Sequence, residues 1–139
     1  MTGAARVVSL VPSATETLRA LGIEPVGITR YCEPGRTPAA TVGGTKTPDL
    51  AAVLALEPDL VVVNDEENRA EDARVLAGWG VPLHSMSPRA VADVGPEVRA
   101  LAGRLGADVP DRFGTGAWDD WLAATLTPRW WDAFVAVWR

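Results

Sequence analysis

The sequence predicts an α/β fold: a three-layer, Rossmann-like lobe built around a mostly parallel sheet. Short apolar runs alternate with segments in which apolar residues recur at helical spacing. The runs contain few polar residues, as is typical of parallel strands that are covered on both faces. Polar turns follow several of them, at the end of the strand where open α/β sheets bind ligands.

Residues 6–21, RVVSLVPSATETLRAL, give the first strand, turn and helix. The apolar run ends at Pro12, which lacks a backbone donor. Ser13 and Glu16 have the spacing of a capping box, which predicts that a helix begins at this point. Gly22 can adopt the positive φ that often follows the last turn of a helix. This unit leaves free backbone amides beside the carboxyl end of a strand.

The same alternation continues along the chain. Further strands are predicted at residues 26–29, 60–63 and 81–85, and an extended, glycine-rich segment at residues 38–45. Further helices are predicted after Thr47, after the polar turn at residues 64–68, and after a cap at Ser87. Pro96 interrupts the last apolar stripe, which predicts a kink or two shorter helices.

Composition excludes several classes of protein. A chain of 139 residues with 47% hydrophobic and 22% charged residues has room for one domain with a real core. A formal net charge of -5 with a single lysine argues against a general nucleic-acid binder. Cys32 is the only cysteine and His84 the only histidine, which excludes an internal disulfide and a multi-histidine zinc site.

The ends of the sequence give two further expectations. Five residues precede the first strand, so no secretory leader is predicted and the chain as written is expected to be cytoplasmic. Residues 108–139 differ in character, with five of the six tryptophans and a final apolar run, FVAVWR, that reads as an uncovered strand. Another chain could cover that strand, so self-association through the tryptophan-rich end is one expectation.

Four segments occur in an order found in one protein family: RVVSLVPSATETLRALG, VGITRYC, VGGTKTPDLAAVLALEPDLVVVNDEEN and GVPLHSMSP. Through them the chain resembles the iron-siderophore and cobalamin substrate-binding proteins of ABC importers, particularly the cobalamin-binding-like branch. The resemblance covers residues 6–105. It implies two α/β lobes joined by a long helix, with residues 1–107 as the N-terminal lobe and residues 108–139 as an interlobe segment and the start of a missing second lobe.

The resemblance also implies a ligand-binding site and no enzymatic activity, catalytic residue, bound metal or cofactor. The ligand would itself be a metal chelate, cobalamin or a ferric siderophore. A flat aromatic ring with a few fixed polar groups can hold such a rigid ligand at small ordering cost. The matching positions are Pro12, Ser13, Tyr31, Gly43, Gly44, Thr45, Asn64, Glu66 and Asn68.

An ABC permease is the implied partner. In the family an acidic residue on the helix after the third loop docks onto the importer, but Ala51 or Ala52 occupies that position here. This departure puts docking through the lobe in doubt.

Structural explanations stand beside these functional ones. Ser13 can be a helix cap, and the acids at residues 65–67 are predicted to be a solvated first helical turn in preference to a cation site. Cys32 is predicted to be a small buried residue, His84 a core histidine, and Gly43 with Gly44 a turn. Two alternatives to transport also remain: a half-lobe that self-associates, or a non-functional fragment. A small enzyme or receiver-type regulator is less favoured because no acidic pair follows the first strand.

Overall fold

The computed structural model of the chain describes residues 5–108. Within this range, strands and helices alternate as the sequence predicts. The elements are β1 (Val7–Ser9), α1 (Pro12–Ala20), β2 (Gly27–Ile28), β3 (Ala40–Thr41), α2 (Leu50–Ala55), β4 (Leu60–Val63), α3 (Ala70–Gly78), β5 (Leu83–Ser85) and α4 (Val91–Leu105). The strand β4 has the predicted bounds, and β3 lies in the segment that was predicted only to be extended.

The five strands form one sheet in the order β3-β2-β1-β4-β5, and each neighbouring pair is parallel. Strands β2 and β3 lie on one side of β1, and strands β4 and β5 lie on the other. This places a topological switch point between β1 and β4, where open α/β sheets have their ligand crevice. The loops that follow the strands all lie at one edge of the sheet, called here the carboxyl edge.

Two apolar clusters cover the two faces of the sheet, which confirms the predicted three layers. On one face α1 and α4 pack on Val7, Leu60 and Val62, chiefly through Leu18, Val98 and Leu101. On the other face α2 and α3 pack on Val8, Val61 and Val63, chiefly through Val53 and Leu76. Alternate residues of β1 and β4 thus pack against the helices on opposite faces of the sheet, because successive side chains of a strand point to opposite faces.

The start of α1 differs from the prediction. Its capping residue is Val11, in extended conformation, and Pro12 is the first helical residue. The capping box of Ser13 and Glu16 is therefore wrong, because Ser13 already lies inside the helix. Proline has the φ of a helical residue and lacks only an amide that would have no partner in the first turn. The hydroxyl of Ser9 instead donates to the carbonyl of Val11 at 3.0 Å.

The other helix starts show one agreement and one difference. The carboxylate of Asp49 accepts a hydrogen bond from the amide of Ala52 at 3.0 Å, so α2 begins close to the predicted position. By contrast, α4 is not capped by Ser87, because the carboxylate of Asp93 accepts from the amide of Ala90 at 3.0 Å and the helix begins at residue 91.

Pro96 lies inside α4, which is nevertheless one helix from residue 91 to residue 105. Of the two alternatives, a kink or two shorter helices, the second is therefore wrong, and the kink stays a prediction. A proline removes one intrahelical hydrogen bond. Val94, Val98 and Leu101 are buried in the core on both sides of Pro96, and this packing outweighs the loss.

Two sequence expectations concern the C-terminal region. Beyond α4, Gly106 has a left-handed conformation with φ of 63° and ends the helix. The tryptophan-rich segment and its predicted strand lie outside the described residues. Among residues 5–108, no helix has both the length and the apolar character needed to cross a membrane.

The core assignment predicts the effect of shortening one leucine. Leu18 is fully buried between α1 and the sheet, and Leu18→Ala is expected to lower the free energy of unfolding by about 2 to 5 kcal/mol, through lost burial and a residual cavity. Leu54 on α2 is 41% exposed, and Leu54→Ala is expected to cost about 1 kcal/mol or less. Urea unfolding followed by circular dichroism measures both. Equal losses in the two variants would contradict the described packing.

Candidate functional site

The structure brings every predicted site residue to the carboxyl edge, because the strands are parallel. Pro12 and Ser13 begin α1 after β1, and Tyr31 follows β2. The glycine loop follows β3, and the polar turn at residues 64–68 follows β4. The positions taken from four separate loops therefore lie at one edge of the sheet, some exposed and some buried: Pro12, Ser13, Tyr31, Gly43, Gly44, Thr45, Asn64, Glu66 and Asn68.

Asn64 is buried and shapes the turn after β4. Its Oδ1 accepts hydrogen bonds from the amides of Glu66 at 2.8 Å and Glu67 at 3.2 Å. Its Nδ2 donates to the carbonyl of Met86 at 2.8 Å, in the loop after β5. The side chain therefore fixes the shape of one loop and ties it to the next.

Asn68 is also buried and links three loops. Its Nδ2 donates to the carbonyl of Leu10 at 2.9 Å and to that of Thr45 at 3.2 Å, while its Oδ1 accepts from the amide of Asn64 at 2.8 Å. The loops after β1, β3 and β4 are thereby held together. The Asn68 side chain lies at the switch point between β1 and β4. It therefore occupies the position where open α/β sheets often have a ligand crevice.

The glycine loop after β3 needs one of its glycines for backbone geometry. Gly43 has φ of 89°, and a Cβ at this position would lie 2.7 Å from the carbonyl oxygen of Thr47. The amide of Gly44 donates to the same carbonyl at 3.1 Å, which closes the turn predicted for this pair. The carbonyl of Gly43 accepts from the amide of Arg30 at 2.9 Å and so joins this loop to the one after β2.

Tyr31 is the exposed aromatic residue of the edge, with 62% of its surface accessible. The guanidinium carbon of Arg30 lies 5.0 Å from the centre of its ring, within range of a cation–π interaction. Sequence reasoning missed Arg30. The available signal was a basic residue directly before an aromatic one in a loop that follows a strand.

A buried polar cluster holds the Tyr31 loop against α1. The hydroxyl of Thr15 donates to the hydroxyl of Ser9 at 2.8 Å, and its oxygen lies 3.0 Å from the sulfur of Cys32. The hydroxyl of Thr29 lies 3.3 Å from the same sulfur. Cys32 is thus the small buried residue that the sequence predicts, and it anchors the loop one residue beyond Tyr31.

Arg19 holds the far end of the same loop. Its Nε donates to both carboxylate oxygens of Glu24, at 3.1 and 2.9 Å, and its Nη1 donates to the carbonyl of Glu33 at 2.7 Å. The sequence offered no clear signal for this contact, since the carbonyl lies in a loop 14 residues away.

Charged residues of the turn after β4 are paired across the edge. Glu66 forms an ion pair with Arg89, and Lys46 Nζ donates to the Glu66 carbonyl at 2.9 Å. Asp65 accepts a hydrogen bond from the hydroxyl of Ser85. The expectation that the acids at residues 65–67 form the first turn of a helix is wrong, because α3 begins at residue 70, after the turn closed by Asn64.

Two ionisable groups near β5 have shifted pKa values. Burial raises the pKa of Glu97, with smaller contributions from Asp93 and Asp65, while a hydrogen bond from the backbone of Ser87 acts in the opposite direction. Burial, with the nearby charge of Arg104, lowers the pKa of His84, which is half-buried on β5 and less enclosed than the predicted core histidine. Within residues 5–108, no group of three or more histidine, cysteine, aspartate or glutamate side chains could hold a metal ion.

Removing the amide of Asn68 tests its role as the link between loops. Asn68→Ala leaves the carbonyls of Leu10 and Thr45 without this donor, and is expected to lower the free energy of unfolding by about 2 to 4 kcal/mol. Glu67→Ala is the control, since it keeps the backbone amide that Asn64 binds, and should change stability by about 0.5 kcal/mol or less. Urea unfolding compares the two, and a stability loss no larger than the control's would refute the linking role.

The raised pKa of Glu97 gives a pH-dependent prediction. The fold favours the protonated carboxyl, so this contribution to stability is complete below the unfolded pKa, about 4.3, and is lost as the pH rises through the folded value. Glu97→Gln should therefore raise the melting temperature slightly at neutral pH, with a difference that vanishes at low pH.

Glu71→Gln serves as the control of opposite sign, because the hydrogen bond from Arg69 lowers the pKa of Glu71. That variant should not gain stability at neutral pH. Melting curves across the acid range compare the two variants. A Glu97→Gln variant that is less stable than the parent at neutral pH would show that the carboxylate, and not the acid, is favoured.

Relatives named for a ligand match about 71% of the chain. No family model matches the chain. The vitamin B12-binding protein of Salmonella paratyphi A is 30% identical over 101 residues, which are 71% of this chain and 38% of that protein. The protein of the same name from Salmonella typhimurium gives the same values. The chain thus spans well under half the length of these relatives.

Solved structures agree in fold. A periplasmic heme-binding protein from Pseudomonas aeruginosa superposes with a TM-score of 0.70 at 26% identity, over 86% of this chain and 47% of that one. The vitamin B12-binding protein BtuF of Vibrio cholerae gives 0.69 at 23% identity, over 85% and 47%. The latter identity supports the fold alone.

The matched proteins are binding proteins and not enzymes, and their solved members have two lobes. The sequence comparison and the structural comparison both find periplasmic binding proteins of this kind. In sequence and fold the chain is similar to periplasmic binding proteins named for vitamin B12, heme and a siderophore, and it matches less than half the length of these proteins.

Proposed function

We propose that the chain is the ligand-binding lobe of an importer's substrate-binding protein, and that its carboxyl edge binds a metal chelate of the cobalamin or ferric-siderophore type. The observation that carries this proposal is an exposed aromatic ring, Tyr31, beside loops held rigid by buried amides. Related proteins named for vitamin B12, heme and a ferric siderophore support a chelate as ligand without distinguishing among the three.

The proposed roles follow from burial. The ring of Tyr31 offers a flat apolar surface for a macrocycle or chelate. Gly44 has no side chain, which leaves room for the guanidinium of Arg30 beside the exposed ring. Asn64 and Asn68 form hydrogen bonds within the protein, so their part is to position the loops and not to contact the ligand. Such a surface loses little conformational entropy on binding.

Other predicted residues surround this centre. Pro12 and Ser13 supply the start of α1, and Glu66 is an exposed polar group at the rim that Arg89 holds in place. Thr45 contributes a backbone carbonyl to the framework, through its hydrogen bond with Asn68. The site therefore combines a rigid base with a small number of groups that reach outward.

The domain organisation is part of the proposal. Residues 1–107 form the N-terminal lobe, and residues 108–139 lead toward a second lobe. The left-handed Gly106 that ends α4 supports a boundary at this point. One lobe covers one side of a ligand, so affinity is expected to be lower than that of a closed two-lobe site.

An ABC permease is the proposed partner of the complete transport system. Ala51 is exposed on α2 and Ala52 is half-buried, while the carboxylate of Asp49 is used to cap the helix. Neither alanine offers the charge that an arginine of a permease would pair with. Contact with a permease through this part of α2 would therefore rely on apolar surface.

Binding is tested by calorimetry with cyanocobalamin, ferrioxamine B and hemin, each at neutral pH. At least one is expected to bind, and Tyr31→Ala should weaken that binding about twofold to tenfold, as expected for the loss of an aromatic contact worth about 0.5 to 1.5 kcal/mol. The variant is expected to lose affinity because the exposed ring is removed. Its folding should be unaffected, since Cys32, which anchors the loop, is unchanged.

Trp79→Ala is the matched control. Trp79 is 49% exposed and follows the last residue of α3, at the end of the helix remote from the carboxyl edge. Its removal should leave the affinity unchanged. The proposal fails if no chelate gives measurable heat, or if the tyrosine and tryptophan variants bind equally well.

A further inference from the structure

Arg30 is placed differently from the other arginines of the edge and its surroundings. Arg19, Arg69 and Arg89 each form an ion pair with a glutamate. Arg30 is exposed, and within residues 5–108 its guanidinium has neither a carboxylate nor a carbonyl partner. A cation that is ordered against an aromatic ring and lacks an anion is suited to receive one from outside.

The backbone and the neighbouring ring hold this guanidinium in place. Its carbon lies 5.0 Å from the centre of the Tyr31 ring, and the Arg30 amide donates to the carbonyl of Gly43 at 2.9 Å. A Cβ on Gly44 would lie 2.8 Å from Nη2 of Arg30 and 3.1 Å from its Cζ. The guanidinium therefore occupies space that is open only because residue 44 is glycine.

The nearby charges leave Arg30 available. Glu66, the exposed acid of the turn after β4, is paired with Arg89. Lys46 donates to a backbone carbonyl of that turn. Each of these groups has its own partner, so the edge presents the guanidinium of Arg30 beside the one exposed aromatic ring that the described loops of the edge contain.

We propose that Arg30 selects chelates that carry an anionic group, such as a carboxylate, at their rim. This inference rests on the proposed function, since it concerns the ligand of the same site. A ligand on the exposed part of Tyr31 would bring its rim within reach of the guanidinium. The planar fork of arginine binds a carboxylate through two parallel hydrogen bonds, which a neutral amide cannot match.

Two matched pairs of chelates test the inference by calorimetry. The first pair is dicyanocobyric acid, which has one free carboxylate at its rim, and dicyanocobinamide, in which that group is an amide. The second pair is N-succinyl and N-acetyl ferrioxamine, which differ by one terminal carboxylate. For the pair that binds, the carboxylated member is expected to bind about tenfold tighter, as for one charge-assisted contact.

Substitutions assign the preference to Arg30. In Arg30→Gln the ratio of the two affinities should fall from about tenfold to about one, and Arg30→Lys should keep part of it, because the charge remains and the fork is lost. Arg36 is an exposed arginine farther along the same loop, near Gly22 and Ile23 at the end of α1. Arg36→Gln removes the same charge away from Tyr31 and should keep the full ratio. Circular dichroism confirms that each variant is folded.

The outcomes separate the two proposals. Equal affinity for both members of a pair, or an unchanged ratio in Arg30→Gln, overturns the selective role of Arg30 while binding itself stands. Loss of the ratio in Arg36→Gln as well would assign it to net charge and would also overturn the role of Arg30. If no member of either pair binds the parent chain, the proposed function fails and the selectivity falls with it.

Discussion

The carboxyl edge depends on the buried amide of Asn68. This one side chain joins the loops after β1, β3 and β4 by donating to carbonyls of two loops and accepting from the backbone of the third. Buried carbonyls without a donor are costly, so the three loops are stable only in the arrangement that the amide satisfies. Asn64 extends the same constraint to the loop after β5. A sheet of five short strands thereby ends in loops that behave as one unit.

The rigid layer and the exposed layer have separate tasks. The asparagines, Cys32 and the glycine turn determine where the backbone lies, while Arg30 and Tyr31 reach outward from it. Selectivity can therefore change through the outward side chains without altering the framework beneath them. This division is consistent with one fold serving relatives that are named for vitamin B12, heme and a siderophore.

Periodicity and apolar runs were sufficient to predict the fold, since β4 and the helices on either side of it follow from local pattern. The family resemblance placed the site residues at one edge, and the parallel sheet brings them there. Local pattern did not reveal the role of Asn68, whose partner carbonyl in Leu10 lies 58 residues away. It also suggested a cap at Ser13, because the pattern cannot show that Pro12 has already entered the helix.

Cys32 can serve as a natural probe of the motion of the loop that carries Tyr31. It is the only cysteine of the sequence, and it lies buried under the loop that carries Tyr31. Its thiolate is accessible to an alkylating reagent only when that loop separates from α1, since the hydroxyls of Thr15 and Thr29 enclose the sulfur. The rate of alkylation therefore measures how often the loop opens, and the native chain reports this motion without an introduced label.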